Sequence, residues 1–389
     1  MFPLTTYLTD LGPLEIGFPL IVLLTLILRV TKHSHLSKKE SKDSSSKAQT
    51  LVFDPLGFRN ITPCKELPLH QRPDWPRYWK PGKFQMTMAL RKLDINNWFK
   101  YDELFDSEHK QKVTMATAPD AENYVDYLDG IDDAVVELLD TVVTYVTKRY
   151  PNMVRVDDEY VYIDHLQEKY RIREPYDLHP LAVAGLLIMD DLYVLKKGHK
   201  DRYTLRGAFL ACPSGWRLQQ RIGWQLHQIH DPVPMWKEKL RKSMERFFVN
   251  LQPSKAIQRN NLFIQPVGQI FHVVPFEENL KYESIDQVHI RTELQSLTRL
   301  PRSEASIFTV RTYLTPMSDL RHEPEQLEAL WDHTRNFPPD TANYKCHHLW
   351  GDVFEQFCQD VLGKRDTEIA SNEEKTKPTV PTSQCPAGF

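Results

Sequence analysis

Residues 262–274, 288–297 and 305–314 read LFIQPVGQIFHVV, VHIRTELQSL and ASIFTVRTYL. Each run is rich in β-branched and aromatic residues, and parts of each alternate apolar with polar. No long helical pattern separates them. Consecutive strands without crossover helices pair antiparallel. The expected fold class is therefore α+β, an antiparallel sheet flanked by helices.

The rest of the chain fits around that sheet. Residues 154–163 and 205–212 read as earlier strands. Residues 132–150 (DDAVVELLDTVVTYVTKRY) have apolar positions at helical spacing, acids first and bases last, as the helix dipole prefers. Residues 181–195 read as a second, more buried helix. Residues 236–251 read as a third, amphipathic and basic. Residues 324–337 and 347–362 read as closing helices.

The amino terminus carries a different signal. Residues 11–30, LGPLEIGFPLIVLLTLILRV, are about long enough and apolar enough to span a bilayer. Arg29 at the end of the run and Lys32, Lys38 and Lys39 after it are basic, and no base precedes Arg29, which favours a retained anchor over a cleaved leader. The expected organisation is a membrane anchor over 1–31, a Ser/Lys-rich linker over 32–50, a domain over 51–362 and a disordered tail over 363–389. The domain would face the cytoplasm, from the endoplasmic reticulum membrane.

Composition excludes several classes. The 389 residues include 14 glycines and 5 cysteines. Neither G-x-G-x-x-G nor G-x-x-x-x-G-K-[ST] occurs, so no nucleotide cradle is legible. No C-x-x-C occurs, which argues against a zinc ribbon or a cysteine-held iron–sulfur cluster. A net charge of -3 gives no field for nucleic acid. Ser214 in CPSGW lacks the nucleophile elbow of a serine hydrolase.

Residues 216–236 read WRLQQRIGWQLHQIHDPVPMW. A helix over 218–230 would put Gly223, Leu226, His227 and His230 on one face, ended by Asp231 to Pro234. A flat cofactor could lie there, with Arg217, Arg221 and Lys237 near its rim. Haem asks for such a set: one axial imidazole, an apolar slot and cations for the propionates. The plainer alternative is a histidine placed beside the helix dipole. Asp190 and Asp191 follow the apolar run LAVAGLLIM, and a buried acid needs a partner. Arg291 and Glu293 are spaced to form an inward pair on a strand, or to lie on a solvated face. His347 and His348 read as surface residues. The basic helix KEKLRKSMERFF reads as a solvated face, with a docking surface as the alternative.

The run LRGAFLACPSGWRLQQRIGWQLHQIHDPVPMW, continuing through KSMERFFVNL and QRNN, resembles the haem-dependent oxidative N-demethylase family, α subunit. MALRKLDINNWFKYD, LHPLAVAGLLIMDDLYVL, IRTELQSLTRLP and IFTVRTY resemble further blocks, in the same order over residues 83–362. The resemblance implies a PAS-like fold, haem b, O₂ activation and oxidative N-demethylation. It implies electrons from NADPH through a separate flavin and iron–sulfur reductase. It points to His230 in I-H-x-P-V-P as the axial iron ligand, with His227 second. Arg259, Arg311 and Arg221 become cofactor-binding candidates. Arg291, Glu293 and Asp191 become catalytic candidates.

The departures bear on the substrate. Met189-Asp190-Asp191 stands where the family reads Gln-Glu-Asp, Leu262 stands for a Trp, and Glu293-Leu294-Gln295 stands for Glu-Arg-Gln. An amine or small organic substrate that differs from dimethylamine is expected, in an anchored monooxygenase suited to fungal specialised metabolism. Two rivals remain: a haem-binding sensor or carrier, and a cofactor-free cyclase or isomerase.

Overall fold

The computed structural model describes residues 54–363 except 67, 74, 200–201, 266–267 and 272–281. The expected anchor and linker, and the tail beyond Gly363, lie outside the described residues. Among the described residues, no helix is long and apolar enough to cross a membrane.

The chain is built on one antiparallel sheet of seven strands. These are β1 (Arg91–Lys92), β2 (Val125–Tyr127), β6 (Asp191–Lys197), β7 (Tyr203–Phe209), β8 (Ile257–Gln265), β9 (His289–Arg299) and β10 (Ser306–Pro316). Their order is β1-β8-β9-β10-β6-β7-β2. The five long strands, counted along the chain, thus lie second-first-fifth-fourth-third when read from β7 to β8. A separate three-stranded sheet holds β3 (Val154–Val156), β4 (Tyr160–Ile163) and β5 (Glu168–Arg171). The run read as one strand over 154–163 is therefore a hairpin, with Asp157 accepting from Glu159 and Tyr160 N–H at the turn.

Register sorts side chains between the two faces of the main sheet. Leu297, Phe308, Tyr193 and Ala208 are successive cross-strand partners and share one face. That face packs on Ile229, Trp236, Met244 and Phe248. Leu192 and Phe209 point the other way, against α1 (Phe105–Ala116), α2 (Asp132–Arg149) and α3 (Pro180–Leu186). Further along this second face, Leu262 and Ile290 pack on α6 (Pro324–Arg335) and α8 (His347–Leu362). Helices therefore cover both faces.

The helix expected over 181–195 is two elements. α3 stops at Leu186, and Asp191 to Lys197 form β6 between β10 and β7. A central strand is buried on both faces, so its apolar run carries no alternation to distinguish it from a helix. Gly185 lets α3 approach β7 closely: a Cβ there would lie 1.9 Å from the Phe209 ring. Lys112 Nζ closes the end of α3 by donating to the carbonyls of Gly185 (3.2 Å), Ile188 (2.9 Å) and Asp190 (2.7 Å).

The second face also buries a charge triad. Arg311 donates to Asp102 (2.9 Å) and Glu108 (2.7 Å), all three shielded from solvent. Asp190 lies in the same region with its Oδ2 unpartnered, and burial pushes its pKa up to about 7 against the pull of Arg311 and Lys112. A raised carboxyl pKa means that the folded state holds the proton more tightly than the unfolded chain. Its stabilising contribution is whole below about pH 3.8 and is lost as pH rises toward 7. Asp190→Asn is therefore expected to raise Tm at pH 8 and to flatten the decline in Tm between pH 4 and pH 8. Thermal melts at those two pH values check this, and an unchanged slope counts against it.

Candidate functional site

A cavity of about 310 Å³ lies against the first face of the sheet, at the lower end of the range for small-molecule sites. Leu195, Leu205, Leu297 and Phe308 give it an apolar floor. Met244 and Phe248 of α5 (Arg241–Asn250) form one wall, and residues 84–90 another. No Asp or Glu lines it among the described residues; its cations are Arg259 and Lys345.

His230 looks into this cavity from the end of α4 (Leu226–Ile229). The helix expected over 218–230 is not continuous. Residues 218–220 make a single 3-10 turn, and Gly223 has φ 83. Gly223 N–H instead pairs with Leu205 O (2.8 Å), and Gln225 bridges to Thr204. The edge of β7 thus captures the segment before it can coil. Gly223 consequently gives no room for a cofactor, and only the last short turn carries His230.

That turn fixes the imidazole. His230 Nδ1 donates to Leu226 O at 2.7 Å, which leaves the lone pair on Nε2. The ring stacks on buried Trp236, 4.6 Å between centroids and 19° between planes. Burial pulls its pKa down to about 4, and nearby Arg259 and Arg221 favour the neutral ring further. A neutral imidazole whose other nitrogen is held by a carbonyl is the form that binds a metal. Among the described residues, no three His, Cys, Asp or Glu side chains gather to hold a bare ion. One imidazole over an apolar slot suits iron whose other positions a macrocycle fills.

Arg259 and Gln295 are cross-strand partners on the cavity floor. Arg259 forms no ion pair among the described residues and its buried Nε has no hydrogen-bond partner. A guanidinium kept this way suits a carboxylate brought by a ligand. Arg221 does not line the cavity. It lies over Trp216, 4.4 Å from the ring centroid, and its charge still acts on His230. Arg217 and His227 lie outside the cavity wall, and exposed Lys237 pairs with Asp231 at 2.9 Å.

Arg291, Glu293 and Asp191 form one network just behind the cavity. Arg291 Nε donates to Glu293 Oε1 at 3.0 Å, and Arg291 Nη2 to Cys212 O at 2.6 Å. Asp191 Oδ1 accepts from Ala211 N–H (2.8 Å) and Cys212 N–H (3.1 Å). Burial raises the Asp191 pKa to about 6, against the pull of Lys112 and those N–H groups. Glu293 Oε2 accepts from Asn261 Nδ2 (3.2 Å) and Gln295 Nε2 (2.9 Å). Both amides line the cavity, so Glu293 touches it only through them. Arg311 is not brought to this site. Thr312, not Arg311, is the partner of Glu293, and the alternation along β10 sends Arg311 to the opposite face.

Lys345 and Thr341 complete the wall, and no pattern in the sequence marks them. They lie four residues apart at the end of α7 (Pro339–Tyr344). Lys345 Nζ donates to Leu262 O at 2.5 Å, so α7 is tied to the floor strand. His348 is exposed and His347 half-buried against Trp350, both away from the cavity.

The blocks that resemble known sequences now have places: the extended wall, α3 with β6, the segment from β7 to α4, and the three late strands. Residues 89–355, more than half of the chain and covering all but the first residue of these blocks, match the family model described as haem-dependent oxidative N-demethylase, alpha subunit-like, and the protein belongs to that family.

Proposed function

We propose that the protein is a haem-dependent monooxygenase that oxidises an amine or another small organic molecule. The observation that carries this reading is His230: neutral, locked through Nδ1, and facing an apolar cavity. The second-first-fifth-fourth-third strand order supports a PAS-like scaffold for it. Haem b, when bound, supplies O₂ activation at its iron.

The chain's own residues have separable tasks in this reading. His230 Nε2 would ligate the iron, and the Leu226 carbonyl and the Trp236 ring hold the imidazole in orientation. Arg259 meets a propionate, with Arg221 adding positive potential behind it. Leu297, Phe308, Met244 and Phe248 keep water from the reacting centre. Glu293, anchored by Arg291, orients the Asn261 and Gln295 amides, which face the substrate. Asp191 holds the Ala211–Cys212 backbone and so the carbonyl that receives Arg291. Electrons come from NADPH through a separate flavin or iron–sulfur reductase, because this sequence carries neither cradle. The apolar run over residues 11–30 anchors the domain beside that reductase at the endoplasmic reticulum, in the setting of fungal specialised metabolism.

The test is an absorption spectrum of the purified protein, expressed with ample haem, before and after dithionite and CO. A Soret band that moves on reduction and again with CO is expected. Its absence sinks the haem reading. Substrate-dependent NADPH consumption with an added reductase then separates the enzyme from a sensor or carrier, which would bind CO without turnover.

A further inference from the structure

The cavity holds more positive charge than one propionate accounts for. Arg259 and Lys345 both line it, and no carboxylate does among the described residues. The nearest acid to act on both is Glu293. Its oxygens are already taken by Arg291, Asn261 and Gln295. Lys345 donates to one carbonyl, lies 4.1 Å from the centroid of the Phe263 ring, and makes no ion pair among the described residues. Burial lowers its pKa to about 8 even with Glu293 opposing. On the same wall, Thr341 Oγ1 is fully buried without a hydrogen-bond partner, and so is Gln295 Oε1 on the floor.

Buried polar atoms without partners are rare, and a buried cation is normally paired. Here several gather on one cavity. An ammonium with donors beyond its one carbonyl, on the same cavity wall as a hydroxyl, matches a carboxylate. A bare alkylammonium would meet two like charges and no counter-charge. Thr341 and Lys345 share one side of the last turn of α7, since residues four apart on a helix are neighbours.

We propose that Lys345 and Thr341 form a carboxylate-binding point, and that the substrate is a small organic acid or zwitterion rather than a bare alkylammonium. This rests on the monooxygenase reading above. Arg259 serves the cofactor, and Lys345 serves the substrate. The second propionate of haem is the competing source of the same chemistry.

Calorimetric titration of the full chain, with and without haem, tests it. The probes are phenylacetate and benzylamine, similar in size and opposite in charge. Phenylacetate is expected to bind and benzylamine to bind far more weakly. Lys345→Met should weaken phenylacetate about tenfold or more, the usual scale for a charged hydrogen bond. Lys345→Arg should keep most of the affinity. Thr341→Val, a near-isosteric change, should weaken it severalfold if Lys345→Met folds poorly. Equal binding of the two probes overturns the site. Titration with haem b and its dimethyl ester separates the sources. Unchanged affinity of Lys345→Met for both supports the substrate's carboxylate. A loss for haem b alone, with phenylacetate unaffected, assigns the carboxylate to a propionate and overturns the substrate class. Phenylacetate binding by wild type that takes up no haem leaves the carboxylate point standing and removes the monooxygenase reading.

Discussion

Replacing His230 with alanine is expected to leave a folded protein that no longer retains haem. The imidazole contributes one hydrogen bond, to Leu226 O, and one ring contact, with Trp236. Losing these costs on the order of 1–2 kcal/mol, too little to unfold a domain of this size. Losing the proposed iron ligand removes the bond that seats the cofactor. The Soret absorbance per protein should therefore fall at least tenfold while far-UV circular dichroism stays unchanged. Added imidazole should restore part of the band by filling the vacated volume. His227→Ala should do little, because His227 lies outside the cavity wall. Haem content unchanged in His230→Ala would reassign the ligand.

The second large effect is expected on the opposite face. Arg311→Met leaves Asp102 and Glu108 buried without their shared cation. Breaking a buried ion pair from one side typically costs about 3–5 kcal/mol, a fall in Tm of very roughly 5–10 °C. The loss should be smaller at pH 5 than at pH 8. Burial raises the Glu108 pKa against the pull of Arg311; without that cation the folded state holds the Glu108 proton more tightly, so stability falls as pH rises. Adding Glu108→Gln and Asp102→Asn should recover part of the loss by removing the stranded charges. Haem content per folded molecule should not change, since Arg311 is on the far side of the sheet. A variant as stable as wild type at pH 8 would count against the triad as a structural element.

These two experiments fall where the sequence was most and least legible. The IHDPVP run marked a rigid turn carrying a histidine, and the structure places that histidine at the cavity. The helix drawn before it was misread, because the capture of Gly223 by β7 depends on a strand neighbour that periodicity cannot show. Helix α2 and helix α8 were readable because one face of each is apolar and the ends carry charge or glycine signals. β9 and β10 were readable from β-branched content. The start of β8 was missed: Arg259 and Asn261 are polar because they face the cavity, so the strand begins at Ile257 rather than Leu262. Arg311 was put with Arg259 and Arg221 as a cofactor-binding candidate because register is invisible in one strand alone, and a shift by one residue moves a side chain through the sheet. Lys345 had no signal at all, sitting between two helices in a segment that reads as a connector.

The sheet's two faces also bear on how this protein can change over generations. The ion triad and the Lys112 closure of α3 sit on the face opposite the cavity. The cavity face is left with a floor of interchangeable apolar residues and a few polar ones. Substitutions there cost mostly local packing, in the range of about 1 kcal/mol for volume-conserving swaps. Selection can therefore retune what the cavity accepts without first acquiring compensating stability, and the wall residues of α5, α7 and 84–90 are where divergence in ligand choice should accumulate.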